Sequence, residues 1–218
     1  MHTPDALIEF SDVDLSFSGV KIMENLSMTV HTGDKVILTG RSGCGKSSLL
    51  SLVLGFVEPD SGTILFDGAE VNGKNVWNIR KKVSFVDQDV SLGSGPVANL
   101  FEFASRLKAN AHLDFRPHEL MRFFDLHGIL HKDLKELSGG ERQRLAVVVS
   151  VLLGRSVFFL DEVTSSLDGN LKKKVAAYFL EKRDWTCLVV SHDPVWLEND
   201  SVRVFDFEEK VWRHRTSP

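Results

Sequence analysis

The chain has 218 residues, a hydrophobic fraction of 43% and a formal net charge of −4, which suits one sizeable domain and argues against nonspecific nucleic-acid binding. No apolar run reaches the roughly 18–20 residues that a membrane-spanning helix needs. The two cysteines are far apart and the first ten residues lack the pattern of a signal peptide, so we expect a cytosolic protein without a disulfide.

Short β segments precede the first long helix. Strands are predicted at residues 7–10, 13–17 and 26–30, where they would form a small antiparallel layer. Phe17 is the last large side chain before a polar Ser-Gly loop. An aromatic ring there either stacks on a purine, a contact worth about 1–3 kcal/mol, or packs in the core, and its position alone favours neither.

Residues 35–54 read KVILTGRSGCGKSSLLSLVL, a β-branched run followed by a glycine-rich loop and an apolar helix-length segment. This context makes the pattern G-x-x-x-x-G-K-[ST] a phosphate-binding P-loop. Glycines permit φ > 0 turns that converge backbone N–H groups on an anion, and the following helix N-terminus adds its dipole. We expect Lys46 at the β/γ-phosphates and the Ser47 hydroxyl on Mg²⁺. The predicted nucleotide-binding residues of the loop are Gly40, Arg41, Ser42, Gly43, Cys44, Gly45, Lys46, Ser47 and Ser48.

The segment after the P-loop helix alternates turns and short elements. A strand at 63–66, a tight turn at 67–68, a helix at 76–81 and a strand at 83–86 are predicted. Gln88 follows that last strand, and its amide suits a contact with Mg²⁺ or an attacking water. Without further context a solvated loop glutamine is the favoured interpretation.

Residues 91–156 change character, with helical segments at 97–104, 117–124 and 141–153 and little β signal between them. They predict an inserted helical subdomain. Its histidines, which lack metal-ligand spacing and are expected at the surface or in the core, are His112, His118, His127 and His131. Ser138 and the glycines after it either cap an ordinary helix or open a second anion site at a helix N-terminus.

Two buried strands near the C-terminus each end in polar residues. Residues 157–160 form an apolar run that ends in Asp161 and Glu162, and residues 186–190 lead to His192. The carboxyl ends of parallel strands are where α/β sheets bind ligands. We therefore expect Asp161 to hold Mg²⁺, Glu162 to polarise the attacking water and His192 to contact the γ-phosphate. The tail, at 202–207 and 210–212, is predicted as a hairpin.

The combination resembles one family over nearly the whole chain, the ATP-binding cassette (ABC) ATPases. The matching motifs are the Walker A loop at 40–47, the Q-loop Gln88, the LSGGE signature at 137–141, Walker B with its glutamate at 157–162, the D-loop at 166–168 and the H-loop His192. The signature alone arises by chance in roughly a few chains per ten thousand. Phe17 falls where the family has its adenine-stacking aromatic. Val163 departs from the frequent proline, at a position that shapes a turn.

The resemblance implies an α/β fold: a P-loop NTPase core with a mostly parallel sheet, an N-terminal antiparallel β layer and an inserted helical subdomain. The predicted organisation is a single domain, 1–218, with a nucleotide-binding core at about 1–90 and 157–218 and a helical signature subdomain at 91–156. It also implies a head-to-tail homodimer around two Mg·ATP, in which Ser138, Gly139 and Gly140 cover the partner's ATP and Asp168 signals across the interface.

The function that the resemblance implies is an ATP-hydrolysing subunit of an ABC transporter, with separate transmembrane permease subunits as partners. Such a subunit would be cytoplasmic and peripheral on the inner face of the membrane. The short chain looks like bacterial transporter ATPase subunits, with some similarity to Fet-type iron exporters. The alternatives are a soluble ABC ATPase of DNA repair or translation and a binding module without turnover. The acidic net charge disfavours the first, and the presence of Glu162 and His192 disfavours the second.

Overall fold

The computed structural model describes residues 6–107 and 116–213. The strands, in chain order, are β1 (Ala6–Phe17), β2 (Val20–His31), β3 (Lys35–Thr39), β4 (Ser61–Phe66), β5 (Ala69–Glu70), β6 (Val83–Val86), β7 (Val157–Asp161), β8 (Thr186–Val190), β9 (Arg203–Asp206) and β10 (Val211–Arg213). The α-helices are α1 (Lys46–Val53), α2 (Val76–Lys82), α3 (Val97–Leu107), α4 (Pro117–Phe123), α5 (Gly139–Leu152) and α6 (Gly169–Leu180). Short 3₁₀ turns occur at Leu134–Glu136 and Pro194–Leu197.

A six-stranded sheet forms the centre, in the order β10-β9-β3-β8-β7-β6. Its neighbouring strands are parallel except for the β9–β10 pair. Every residue of β7 and β8 is buried, because both faces of the sheet are covered. Phe158 packs into the core that includes α5 and α6, whereas Phe159 packs into the core shared with α1 and the N-terminal strands. This confirms the predicted α/β class with a mostly parallel sheet.

The tail contributes more to the sheet than the predicted hairpin suggested. β9 and β10 do form an antiparallel pair, but β9 also lies parallel to β3, where Val204 pairs with Ile37 and Phe205 with Leu38. Phe205 is fully buried as a result. The end of β9 therefore lies directly beside the strand that leads into the P-loop.

The second sheet is antiparallel, in the order β2-β1-β4-β5. The two strands predicted at 7–10 and 13–17 are one bulged strand, β1, because Asp12 takes a left-handed conformation (φ 51°) and its N–H donates to Ser27 Oγ at 2.9 Å. A Cβ on Gly62 would lie 2.4 Å from the Asp12 carbonyl oxygen, so only glycine fits opposite the bulge. The predicted antiparallel layer is confirmed.

In the described parts of residues 87–156 the secondary structure is helical, apart from an isolated bridge between Pro96 and Asp133. α5 starts two residues earlier than predicted because Ser138 caps it in reciprocal hydrogen bonds with Glu141. No group of three or more potential metal-ligating side chains occurs in the described ranges. His118, His127 and His131 are exposed, and His112 lies outside the described residues. Within those same ranges no helix combines the length and apolarity that a membrane span requires.

Candidate active site

The loop between β3 and α1 has the backbone geometry that its glycines predict. Gly40, Gly43 and Gly45 all have positive φ, at 139°, 79° and 105°. A Cβ on Gly45 would lie 2.5 Å from Ile22 Cγ2, so a side chain there would collide with β2. α1 begins at Lys46, and no side chain in the described part of the chain caps its first turn. The free N–H groups at the start of α1 are therefore available to an anion.

Lys46 points back into this loop. Its side chain is buried, and Nζ donates to the carbonyl oxygens of Gly40 and Arg41, each at 2.7 Å. These charge-assisted hydrogen bonds brace the start of the loop from inside. An ammonium held at the centre of the loop by two exchangeable bonds is placed to bind an arriving phosphate.

The same part of the loop is also held from outside. Glu208, which follows β9, accepts hydrogen bonds from the Arg41 backbone N–H and from Arg41 Nε, the latter at 2.8 Å. The Arg41 backbone N–H holds the pKa of the Glu208 carboxyl below its ordinary value, with the guanidinium acting in the same direction. The contact joins the P-loop to the turn after β9 across 167 residues of sequence.

We expect Glu208→Ala to raise the KM for ATP several-fold with a smaller change in kcat, because the first turn of the P-loop loses its outer support while Glu162 and His192 stay in place. Steady-state ATPase kinetics measure both constants. Glu209→Ala is the matched control, since the neighbouring Glu209 contacts Arg213 and not the P-loop. An equal KM in the two variants would contradict the expectation.

Asp161 ends β7 beside the P-loop. It is 3% exposed, and its Oδ1 has no hydrogen-bond partner among the described residues. Burial raises the pKa of the Asp161 carboxyl, and the nearby Ser47 side chain opposes that rise. A buried carboxylate oxygen without a partner costs folding free energy. A cation or a hydrogen-bond donor bound beside it would remove that cost.

Glu162 and His192 face each other across the ends of β7 and β8. Glu162 has positive φ (48°), and its N–H donates to the Val190 carbonyl oxygen at 2.9 Å. Its side chain is 16% exposed, and Oε1 lies 3.6 Å from His192 Nε2. Burial raises the pKa of the Glu162 carboxyl, and the nearby His192 opposes this effect. The pair therefore combines a proton acceptor with raised basicity and an exposed imidazole at one edge of the sheet.

A cavity of about 340 Å³ brings these groups together. The predicted site residues that line it are Ser42, Gly43, Gly45, Lys46, Ser47, Ser48, Gln88, Asp161, Glu162 and His192. Ile22, Ser165 and Val190 also line it and were not predicted. Nothing in the sequence marks the apolar residues Ile22 and Val190 as part of a site. Ser165 could have been predicted, because it lies only three residues after Glu162.

The remaining predicted residues lie outside the lining of this cavity. Gly40, Arg41 and Cys44 belong to the loop but do not line the space. Phe17 is 43% exposed near the β1–β2 turn, and its stacking role stays a prediction.

Two of the signature residues, Ser138 and Gly139, are exposed at the start of α5, whereas Leu137 before them is buried. Ser138 Oγ accepts a hydrogen bond from the Glu141 N–H at 3.2 Å, which explains the residue as a helix cap. Gly140 packs on the D-loop, since a Cβ there would lie 3.6 Å from the Ser166 carbonyl oxygen. Asp168 caps α6 by accepting from the N–H groups of Asn170 and Leu171 at 3.0 Å. Within one chain these residues thus have structural roles, and their roles toward ATP stay predictions.

Comparisons with known proteins agree with the motifs. A family model described as "ABC transporter" matches residues 23–165. The chain is 32% identical over 201 residues to the "Probable iron export ATP-binding protein FetA" of Escherichia coli, with 88% of each chain covered. It is 33% identical over 217 residues to the "ATP-dependent lipid A-core flippase" of Haemophilus influenzae, covering 93% of this chain and 36% of the flippase. The chain thus spans about a third of the flippases it matches.

Two solved structures have the same fold. The ATP-bound structure of a bacterial Atm1-family ABC exporter superposes with a TM-score of 0.80 at 21% identity, covering 94% of this chain and 38% of the exporter. An ATP-binding subunit of an ABC transporter superposes with a TM-score of 0.81, also at 21% identity, covering 92% of this chain and 86% of the subunit.

Proposed function

This chain belongs to the ABC transporter family, and from that premise we propose that it binds and hydrolyses ATP to power transport through separate transmembrane subunits. The observation that carries the proposal is the cavity at the P-loop, where a lysine, two acidic side chains and a histidine converge on the N-terminus of α1. Each group matches a need of phosphoryl transfer: charge for the phosphates, a metal ligand and a base for water.

The roles of the site residues follow from their placement. Lys46 and the N–H groups of the loop bind the β- and γ-phosphates, Glu162 accepts a proton from the attacking water, and exposed His192 donates to the γ-phosphate. The Oδ1 of buried Asp161, for which residues 6–107 and 116–213 provide no hydrogen-bond partner, and the neighbouring Ser47 hydroxyl fit Mg²⁺, a cation that prefers oxygen ligands. Gln88 would complete this set, and the bound ion would neutralise charge on the phosphates.

The separation of the two predicted anion sites supports a homodimer. The signature turn at residues 138–140 does not line the P-loop cavity of its own chain, and its exposed residues Ser138 and Gly139 leave the start of α5 open to an anion held by another copy. Two chains related by a two-fold axis would each cover the other's ATP with this signature turn. Asp168, on the adjoining D-loop, would then contact the partner and report ATP occupancy.

We also propose the finer organisation expected from the sequence: a nucleotide-binding core at about 1–90 and 157–218 and a signature subdomain at 91–156, held at the inner face of the membrane by a permease partner. The helices between β6 and β7 and the matched transport proteins support it. The transport proteins among the relatives favour transport over DNA repair or translation.

The dimer is tested with a hydrolysis-deficient chain. We expect the Glu162→Gln variant to double its mass in light scattering when saturated with Mg·ATP and to stay monomeric with ADP. Adding Ser138→Arg, which places a large side chain at the exposed signature turn, is expected to abolish the dimer while ATP still binds. A monomer at saturating Mg·ATP in the single variant would contradict the paired arrangement.

A further inference from the structure

A cluster of side chains next to the catalytic groups takes part in neither phosphate nor metal binding. Asp193 accepts hydrogen bonds at both carboxylate oxygens: Oδ2 from Thr164 Oγ1 at 2.5 Å and Oδ1 from Lys172 Nζ at 2.7 Å. The Thr164 hydroxyl oxygen in turn accepts from Trp196 Nε1 at 3.2 Å. We call these four residues, Thr164, Lys172, Asp193 and Trp196, the Asp193 junction.

The Asp193 junction is shielded from water. Thr164 and Trp196 are fully buried, and the side chains of Asp193 and Lys172 are 16% and 24% exposed. Hydrogen bonds to charged groups are shorter and roughly twice as strong as neutral ones, and low surrounding polarity strengthens them further. The Asp193 junction is thus one of the firmer polar contacts between the loops of this region.

Two of its members come from the loops that carry the catalytic pair, whereas Lys172 lies on α6 and Trp196 in the 3₁₀ turn. Thr164 lies two residues after Glu162, and Asp193 directly follows His192. β7 and β8 are paired as far as Asp161 and Val190, and the Glu162 N–H still donates to Val190. Beyond that bond, the hydrogen bonds that Thr164 makes with Asp193 and Trp196 join the two segments side chain to side chain.

We propose that Asp193 is a positioning residue for ATP hydrolysis: by holding Thr164 and Lys172 it fixes the loop of His192 against the loop of Glu162. The inference rests on the proposed ATPase function. Reacting groups misplaced by about 1 Å can cost on the order of 100-fold in rate. Glu162 Oε1 and His192 Nε2 lie 3.6 Å apart, and the rest of the His192 side chain is exposed. The Asp193 junction lies outside the cavity lining, so its loss should affect kcat and leave ATP binding nearly unchanged.

The experiment compares Asp193→Asn and Thr164→Val with wild type in steady-state ATPase kinetics. Both variants should lose on the order of 10-fold in kcat while KM for ATP stays within about two-fold. Thr164→Ser keeps the hydroxyl and should retain most of the wild-type kcat. Because the two substitutions break one shared bond, the double variant should lose less than the product of the single losses.

Asp60→Asn, at an exposed turn before β4, is the matched control for removing one negative charge and should keep the wild-type kcat. Thermal unfolding of each variant separates misfolding from mispositioning, and the comparison of Thr164→Val with Thr164→Ser carries the test if Asp193→Asn does not fold. Wild-type kcat in folded Asp193→Asn and Thr164→Val would overturn the positioning role of Asp193 but not the proposed function. An equal loss of kcat in Thr164→Ser and Thr164→Val would do the same. A wild-type chain without ATP hydrolysis would overturn the proposed function, and this role with it.

Discussion

Glu162→Gln is expected to reduce kcat for ATP hydrolysis by about 10²–10⁴-fold, the usual contribution of a general base, while ATP affinity changes little. The glutamine amide has the same shape as the carboxylate but cannot accept the proton of the attacking water. Burial raises the pKa of Glu162, which makes its carboxylate a stronger base than an exposed glutamate. The groups that hold the phosphates, the P-loop and Lys46, are untouched by the substitution.

The measurement pairs phosphate release with titration of a nucleotide in the same preparation. Glu181→Gln is the matched control, because Glu181 is an exposed glutamate at the end of α6 and its replacement removes the same charge away from the cavity. We expect wild-type turnover in the control. Turnover near the wild-type level in Glu162→Gln would assign proton transfer to another group.

The parts of the site that the sequence predicted are those encoded locally. The glycines of the P-loop predict backbone turns with positive φ, and the apolar run of β7 predicts that Asp161 and Glu162 follow a buried strand. Each signal lies within about ten residues, so no knowledge of the tertiary fold is needed to interpret it. The roles expected of Asp161 and Glu162 followed from this placement, whereas the roles of Ser138, Gly140 and Asp168 toward ATP came from the family resemblance.

The parts that the sequence did not predict are contacts between distant segments. Glu208 reaches Arg41 only because β9 lies beside β3, and Ile22 limits residue 45 to glycine only because β2 passes behind the P-loop. Asp193 meets Thr164 across the β7–β8 pair. The order of strands in a sheet determines which distant residues come into contact, and a single sequence carries weak information on that order.

The bulge in β1 shows the same limit at shorter range. The polar residues at positions 11 and 12 interrupt the apolar pattern and were interpreted as a break between two strands. In the fold, the side chain of Ser27 on β2 replaces the missing ladder bond of Asp12, and Gly62 on β4 leaves room for its carbonyl. Because the neighbouring strands satisfy the bulge, the strand continues.

Lys46→Ala is expected to weaken ATP binding by on the order of 100-fold or more and to abolish measurable hydrolysis. A hydrogen bond to a charged group contributes about 1.5–3 kcal/mol, which corresponds to roughly 10–100-fold in affinity for a single contact. The substitution has a second cost, because Nζ also braces the carbonyl oxygens of Gly40 and Arg41. Without that brace, the loop must be ordered by the nucleotide itself, and the entropy of ordering lowers the affinity further.

Titration with a fluorescent ATP analogue measures the effect, and Lys173→Ala is the matched control, since Lys173 is exposed on α6 and carries the same charge. A further variant, Lys46→Arg, separates the two contributions of Lys46, which are its charge on the phosphates and its hydrogen bonds within the loop. Lys46→Arg keeps the positive charge but replaces the compact ammonium that bonds both carbonyl oxygens with a planar guanidinium. If charge alone holds the phosphates, Lys46→Arg should bind ATP nearly as well as wild type. We expect instead that the hydrogen bonds of Lys46 to the Gly40 and Arg41 carbonyl oxygens matter, so that Lys46→Arg binds ATP almost as weakly as Lys46→Ala. Affinity in Lys46→Ala equal to that of Lys173→Ala would contradict the P-loop as the phosphate site.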